Sequence, residues 1–190
     1  MRIVGGRLRG RTLAAPRSAV IRPTADRLRE SMFNILAHAY GDPVTDARIL
    51  DLFAGTGALG LEALSRGAAF ALLIDDAAEA RALMRDNVTA LGLGGTARIF
   101  RRDATALGDV HPLEPFGLAF LDPPYGQGLA DRALASAHAG GWLRPDALIV
   151  VEEAADAEFT RPEEFAEVER RRYDDTELIF LRAIQNLSRP

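Results

Sequence analysis

From residue 48 onwards, short apolar runs alternate with segments in which apolar residues recur at helical spacing. The runs predict strands and the intervening segments predict helices. Because parallel strands need crossover connections, this alternation predicts a mostly parallel sheet, and strands that are apolar throughout are typical of a sheet covered on both faces. The predicted strands cover residues 48–53, 69–75, 97–101, 117–121 and 147–152, and the predicted helices cover residues 58–65, 77–91 and 129–139.

Both ends of the chain depart from this alternation. Residues 1–21 place glycines and arginines around short apolar pairs, which predicts a small β-hairpin or an extended arm. A helical pattern follows Pro23 and ends at Tyr40-Gly41-Asp42-Pro43. Near the C-terminus, strand-like segments at residues 167–173 and 177–182 flank Asp174-Asp175-Thr176 and predict a hairpin that closes the sheet edge. We therefore expect an α/β fold with a basic N-terminal arm at residues 1–22 and one domain at residues 23–190.

Composition limits the classes of function that this chain can have. Its 190 residues, of which 48% are hydrophobic, suit one domain with a substantial core. The apolar runs fall far short of the roughly 20 residues needed to cross a bilayer, so we expect an intracellular, cytoplasmic protein. The absence of cysteine excludes disulfides and thiolate catalysis, and three scattered histidines argue against a metal site.

Charge is distributed unevenly along the chain. The net charge is −4, yet residues 1–30 hold eight arginines against two acids, and every basic residue is arginine. Arginine forks match phosphates and base edges, so we predict a polyanion partner for this segment, with a solvated arm or a general arginine bias as the alternatives. The candidate contact residues are Arg2, Arg7, Arg9, Arg11, Arg22 and Arg27.

A glycine loop connects the first predicted strand to the helix after it. Gly55, Gly57 and Gly60 satisfy the pattern G-x-G-x-x-G, which dinucleotide-binding enzymes share. However, Asp51 precedes Gly55 by four residues, and a carboxylate there would repel a pyrophosphate at the helix N-terminus. An acid at this position suits a ligand with an ammonium group, such as the methionine part of S-adenosylmethionine.

Further acids follow the next two predicted strands. Asp75, or its neighbour Asp76, is placed to accept hydrogen bonds from ribose hydroxyls, and Asp103-Ala104 can meet the adenine edge. Each acid taken alone could instead be a helix N-cap or a solvated turn residue. The candidate cofactor-binding residues are Asp51, Phe53, Ala54, Gly55, Gly57, Asp75, Asp76, Asp103 and Ala104.

The sequence Asp122-Pro123-Pro124-Tyr125 ends the fourth predicted strand and supplies candidate catalytic residues. Methyl transfer requires a nitrogen lone pair aimed at the methyl group, and an exocyclic amine is a poor nucleophile. Asp122 and the carbonyl of Pro123 can accept its two N–H groups, and Tyr125 can stack on the base that carries it. The prolines fix the backbone. A simple turn after a strand is the alternative.

Nearly the whole chain resembles the bacterial RsmD family of class I S-adenosylmethionine-dependent methyltransferases. The resemblance runs through residues 1–6, 10–11, 21–24, 26–27, 33–36, 51–68, 122–125 and 175–178. It implies a Rossmann-like sheet and methylation of N2 of guanine-966 in 16S rRNA, within the small (30S) ribosomal subunit or an assembly intermediate. Asp75 departs from the family, which usually has Glu there. We expect a monomer whose basic arm contacts RNA.

Three other functions remain open on the sequence. A DNA adenine-N6 methyltransferase also uses Asp-Pro-Pro-Tyr, although this chain has no evident room for a separate recognition domain. A nicotinamide-dependent oxidoreductase fits the glycine pattern, but Asp51 argues against it. A catalytically idle RNA-binding protein would not need Asp51, Asp122 and Tyr125 together.

Overall fold

The computed structural model describes residues 1–16 and 23–184, without the side chains of residues 23–25. These residues form a seven-stranded sheet in the order β3-β2-β1-β4-β5-β7-β6. The first five strands are parallel, whereas β7 is antiparallel to both β5 and β6. The strands are β1 (Arg48–Leu52), β2 (Phe70–Ile74), β3 (Ala97–Phe100), β4 (Phe116–Leu121), β5 (Leu143–Ala154), β6 (Phe165–Tyr173) and β7 (Thr176–Ala183). The helices are α1 (Pro23–Ala39), α2 (Ala58–Ser65), α3 (Ala78–Leu91) and α4 (Leu129–Ala139), and none is long and apolar enough to cross a membrane.

The predicted fold class and the order of its elements are confirmed. The largest difference lies in β5, which begins at Leu143, four residues before the predicted start. Arg144-Pro145-Asp146 interrupts the apolar pattern, so the sequence gives no strand signal there. Leu143 nevertheless pairs with Phe116 of β4. The hairpin also starts earlier than predicted, at Phe165.

Helices cover the two faces of the sheet. On one face, α1, α2 and α3 bury Phe33, Leu61 and Met84. On the other, α4 buries Leu134 beside Trp142. Burying aliphatic and aromatic side chains on both faces accounts for strands that are apolar throughout. The carboxyl ends of the parallel strands therefore meet at one uncovered edge, where sheets of this kind bind ligands.

The N-terminal residues form a hairpin-like loop that packs against α2. Arg2 and Thr12 form an antiparallel bridge, and Ile3 is fully buried. Buried Glu62 of α2 accepts a hydrogen bond from the Val4 backbone N–H at 2.8 Å. The hydroxyl of Ser65 donates to the Gly5 carbonyl at 2.6 Å. The loop thus contributes to the core, while its separation as a distinct arm remains a prediction.

Two glycines in this loop provide a test of its packing. Gly6 and Gly10 both have positive φ, but a Cβ on Gly6 would lie 2.0 Å from the Ser65 carbonyl oxygen, whereas a Cβ on Gly10 meets nothing within 4 Å. We expect Gly6→Ala to lower the free energy of unfolding by about 3 kcal/mol and Gly10→Ala by about 1 kcal/mol. Urea unfolding measures both, and equal losses would contradict close packing of the loop on α2.

Candidate active site

Three adjoining cavities open where the parallel strands end. Their volumes are about 240, 260 and 560 Å³, and Phe53 contributes to the wall of each. The first contains Asp51 and the glycine loop, the second contains Asp75 and Asp103, and the third contains Asp122 and Tyr125. Acids from successive strands therefore border one continuous crevice.

The glycine loop is held by the two acids that flank it. The Gly60 backbone N–H donates to Asp51 Oδ2 at 2.9 Å, and the Gly55 N–H donates to Asp75 Oδ2 at 2.9 Å. Gly57 has φ of 79° and precedes α2, where a Cβ would lie 3.1 Å from Leu73. Among the described residues, Gly57 lines none of the three cavities. Its position indicates a packing role beneath the loop.

Asp51 presents an unpaired oxygen at the first cavity. Its side chain is 1% exposed, and within the described part of the chain its Oδ1 has no hydrogen-bond partner. The pKa of Asp51 is raised to about 7, mainly by burial; the Gly60 hydrogen bond opposes this rise, and the charge of Asp75 adds to it. A buried acceptor of this kind requires a partner, and an ammonium group would satisfy it.

The second cavity holds the acids predicted to bind ribose and adenine. Asp75 and Asp76 line it together with Asp103 and Ala104. Asp103 Oδ1 accepts hydrogen bonds from the backbone N–H and the hydroxyl of Thr105 at 2.8 and 2.7 Å, which lower the pKa of Asp103. Asp103 therefore caps the N-terminus of the short 3-10 helix at Ala104–Ala106. This is the helix N-cap role given above as the alternative for each acid taken alone. Asp103 nevertheless remains on the cavity wall.

The third cavity contains all four residues of the Asp-Pro-Pro-Tyr sequence. Tyr125 is 42% exposed, and Asp122 is also exposed. The protein around the Asp122 carboxyl still desolvates it, and Glu152, Asp51 and Glu153 add negative charge. Together these effects raise its pKa well above the usual range. A group that carries developing positive charge is favoured at this position.

Glu152, at the end of β5, is a site residue that the sequence analysis missed. It lines the first cavity with Asp51 and Asp122, and its Oε1 accepts a hydrogen bond from the Tyr125 hydroxyl at 2.6 Å. The available signal was the pair Glu152-Glu153 directly after the apolar residues 147–151, because an acid after a predicted strand is also what identified Asp75 and Asp103. Buried Arg29 of α1 also lines this cavity.

The candidate RNA-binding arginines lie on the N-terminal loop and α1. Arg2, Arg7, Arg9, Arg11 and Arg27 are exposed, and Arg22 lies outside the described residues. Arg2 is 3.9 Å from Asp26, and Arg11 donates to the Ala90 carbonyl at 2.7 Å. Arg7, Arg9 and Arg27 form no ion pair within residues 1–16 and 23–184. Their contact with RNA remains a prediction.

Comparison with known proteins places this site in a family. The family model described as "Conserved hypothetical protein 95" matches residues 1–182. Ribosomal RNA small subunit methyltransferase D of Escherichia coli K12 is 43% identical over 153 residues, 80% of this chain and 74% of the relative. The Haemophilus influenzae protein of the same name is 34% identical over 165 residues, 86% of this chain and 83% of the relative.

A solved structure agrees with these sequence relatives. The yhhF protein of Escherichia coli has a TM-score of 0.81 and 35% identity, covering 97% of this chain and 98% of its own. The likeness therefore includes both the parallel sheet and the C-terminal hairpin. Because the family model spans almost the whole chain and two relatives exceed 30% identity, the chain belongs to the RsmD family of methyltransferases.

Proposed function

We propose that this protein transfers a methyl group from S-adenosylmethionine to the exocyclic N2 of a guanine, guanine-966, in 16S rRNA. The observation that carries the proposal is the position of Asp122, which lines both the cavity of Asp51 and the cavity of Tyr125. Asp122 can accept hydrogen bonds from an amine. It lies between the cavity of Asp51, which suits an ammonium-bearing ligand, and the ring of Tyr125, which suits a base. The methyltransferase relatives support this combination.

The first two cavities fit S-adenosylmethionine. Asp51 would bind its ammonium group, Asp75 its ribose hydroxyls, and Asp103 with Ala104 its adenine edge. When bound, this cofactor supplies an electrophilic methyl group on a sulfonium. The loop backbone is already fixed by the hydrogen bonds of Gly55 and Gly60 to Asp75 and Asp51, so little ordering should accompany binding.

The third cavity fits an extruded base. Asp122 and the Pro123 carbonyl would accept the two amine hydrogens, which favours a pyramidal nitrogen and stabilises its developing positive charge. The exposed ring of Tyr125 would stack on the base once it has left its helix or while it is unpaired. The amine can lose its proton after the transfer, with Asp122 available to accept it.

The proposed partner is 16S rRNA in the 30S subunit or in an assembly intermediate. Two relatives are named ribosomal RNA small subunit methyltransferase D, which supports this substrate class. The exposed arginines of the N-terminal loop provide the positive charge that phosphate contacts require. We place the protein in the cytoplasm with its substrate, acting as a monomer.

The test uses 30S particles whose RNA lacks base methylation. We expect incubation with the protein and S-adenosylmethionine to give one N2-methylguanosine per particle, which mass mapping of nuclease fragments would locate at guanine-966. Parallel samples contain naked 16S rRNA or duplex DNA. Particles without modified guanine would refute the proposal, and N6-methyladenine in the DNA would support the adenine-specific alternative instead.

A further inference from the structure

Glu152 has no role in the function proposed so far, although it occupies the same cavity as Asp122. Its Oε1 accepts the Tyr125 hydroxyl hydrogen bond, and the structure shows no bond to its second oxygen from the described residues. After desolvation, the charge of Glu152 is the largest cause of the raised pKa of Asp122. Two carboxylates on the wall of one cavity favour a ligand that presents more than one donor or a positive charge.

We propose that Glu152 determines the choice of base by accepting the N1–H of guanine while Asp122 accepts the neighbouring N2–H. This role rests on the proposed function, because it concerns the base placed in the third cavity. Glu152 lines the first cavity, but Asp122 lines both cavities, and Tyr125, which donates to Glu152, lines the third. Glu152 would touch the substrate but would not take part in the transfer itself.

The pattern of hydrogen-bond donors on the bases favours guanine at such a pair of acids. In guanine a ring N–H stands directly beside the exocyclic amine, so that two adjacent donors face the protein. In adenine and cytosine the ring nitrogen beside the amine is an acceptor, and a carboxylate opposite it would be repelled. Sites built to hydrogen-bond one edge of a substrate strongly reject analogues that leave their buried polar groups unpaired.

Two neighbours of Glu152 favour its ionised form, against the effect of burial. Burial raises the pKa of Glu152, and the Tyr125 hydrogen bond and the charge of Arg29 offset only part of that rise. Arg29 is itself buried and fixed, with hydrogen bonds to Asp26 at 2.7 Å and to the Arg2 carbonyl. The donor from Tyr125 occupies Oε1 and leaves Oε2 able to accept from a ligand in the cavity that Glu152 lines.

Glu152→Gln tests the proposal because Tyr125 also orients the new amide. If the hydroxyl donates to the amide oxygen, the amide N–H₂ faces the base, which mismatches guanine N1–H and matches adenine N1. The measurement is kcat/KM for methyl transfer to 30S particles reconstituted with either guanine or adenine at the target position. We expect a loss of about 100-fold on guanine and at least a tenfold shift of the guanine-to-adenine ratio towards adenine.

Two further variants test whether an effect of Glu152→Gln comes from lost recognition of the base or only from the lost negative charge or from misfolding. Glu153→Gln removes the same charge one residue away, where Glu153 is buried and accepts the Gly126 N–H at 3.0 Å, so we expect no change in the base ratio. Tyr125→Phe keeps the ring but frees the carboxylate, so we expect a loss of about tenfold on guanine. If Glu152→Gln fails to fold in thermal melting, Tyr125→Phe carries the test alone.

The outcomes distinguish this role from the function on which it rests. If the unaltered protein methylates guanine particles but Glu152→Gln retains both its rate and its base ratio, Glu152 does not read the base. The same conclusion follows if Glu153→Gln shifts the base ratio as much as Glu152→Gln does. If Glu152→Gln does not fold, it follows when a folded Tyr125→Phe protein keeps full activity on guanine. If the unaltered protein makes no methylguanine, the proposed function itself fails and this role fails with it.

Discussion

Replacing Asp122 with alanine is expected to lower kcat for methyl transfer to 30S particles about 1,000-fold. Removal of one preorganised group that stabilises developing charge typically costs 100- to 1,000-fold, and Asp122 is one of two acceptors proposed for the amine. The affinity for S-adenosylhomocysteine should change only a few-fold, because Asp51 and Asp75 are unaltered. Single-turnover kinetics measures the chemical step, and calorimetry measures the affinity.

The same substitution should stabilise the folded protein. The pKa of Asp122 is raised well above its usual range, so the folded state holds this proton at pH values where the unfolded chain has released it. Stability therefore falls as the pH rises from the ordinary pKa of aspartate through the raised one, and the full cost is present above it. Alanine removes this cost, so we expect a higher Tm at pH 8 than in the unaltered protein.

A matched control distinguishes these effects from a general change in charge. Glu114 lies in the loop before β4 and its side chain is 83% exposed, so Glu114→Ala should change neither kcat nor Tm measurably. An Asp122→Ala protein that retains full activity would exclude Asp122 as the amine acceptor. A protein that loses both activity and stability would indicate that Asp122 mainly supports the fold.

The sequence predicted the architecture because its helices and parallel strands have distinct apolar periods. Residues 58–65 matched α2 at both ends, since Gly57 precedes the helix and Arg66-Gly67 follows it. The sequence also predicted that acids at the carboxyl ends of parallel strands converge, and Asp51, Asp75 and Asp103 do line adjoining cavities. The bounds of α2 depend on local sequence, and the convergence of the acids follows from the parallel topology of the sheet.

Contacts between distant segments could not be predicted in this way. The N-terminal loop packs on α2 through Glu62 and Ser65, which are polar residues in a helix whose pattern gives no indication of such a partner. The pairing of Tyr125 with Glu152 spans 27 residues and depends on the exact register of β4 and β5. These contacts arise from tertiary packing, which a single sequence does not specify to this precision.

Replacing Asp51 with asparagine is expected to weaken the binding of S-adenosylhomocysteine, which keeps the ammonium group, about 100-fold. A hydrogen bond between two charged groups in a buried site contributes roughly 1.5–3 kcal/mol, and an amide whose oxygen stays with Gly60 turns an N–H₂ group, which cannot accept, towards the ammonium. The backbone N–H of Gly60 can still bond to that oxygen, so the loop should keep its shape. Calorimetry at pH 8 measures the loss.

The pH dependence of binding identifies Asp51 as the group responsible. Its pKa in the free protein is about 7, so the carboxylate that binds an ammonium group is mostly protonated at pH 6 and mostly ionised at pH 8. Affinity should therefore be about tenfold weaker at pH 6 than at pH 8 in the unaltered protein. In Asp51→Asn this difference should largely disappear. A variant that keeps the same pH profile would show that another group controls binding.

Asp51 should also make the unliganded protein less stable above neutral pH. Between pH 3.8 and about 7 the unfolded chain has released this proton while the folded protein still holds it. Stability therefore falls through that window, and the cost above it is about 4 kcal/mol. Asparagine removes the charge but leaves an unpaired N–H, so we expect a net gain of about 2 kcal/mol, or about 5 °C in Tm at pH 8. A lower Tm would mean that Asp51 is satisfied without a ligand, and the argument for an ammonium site would fail.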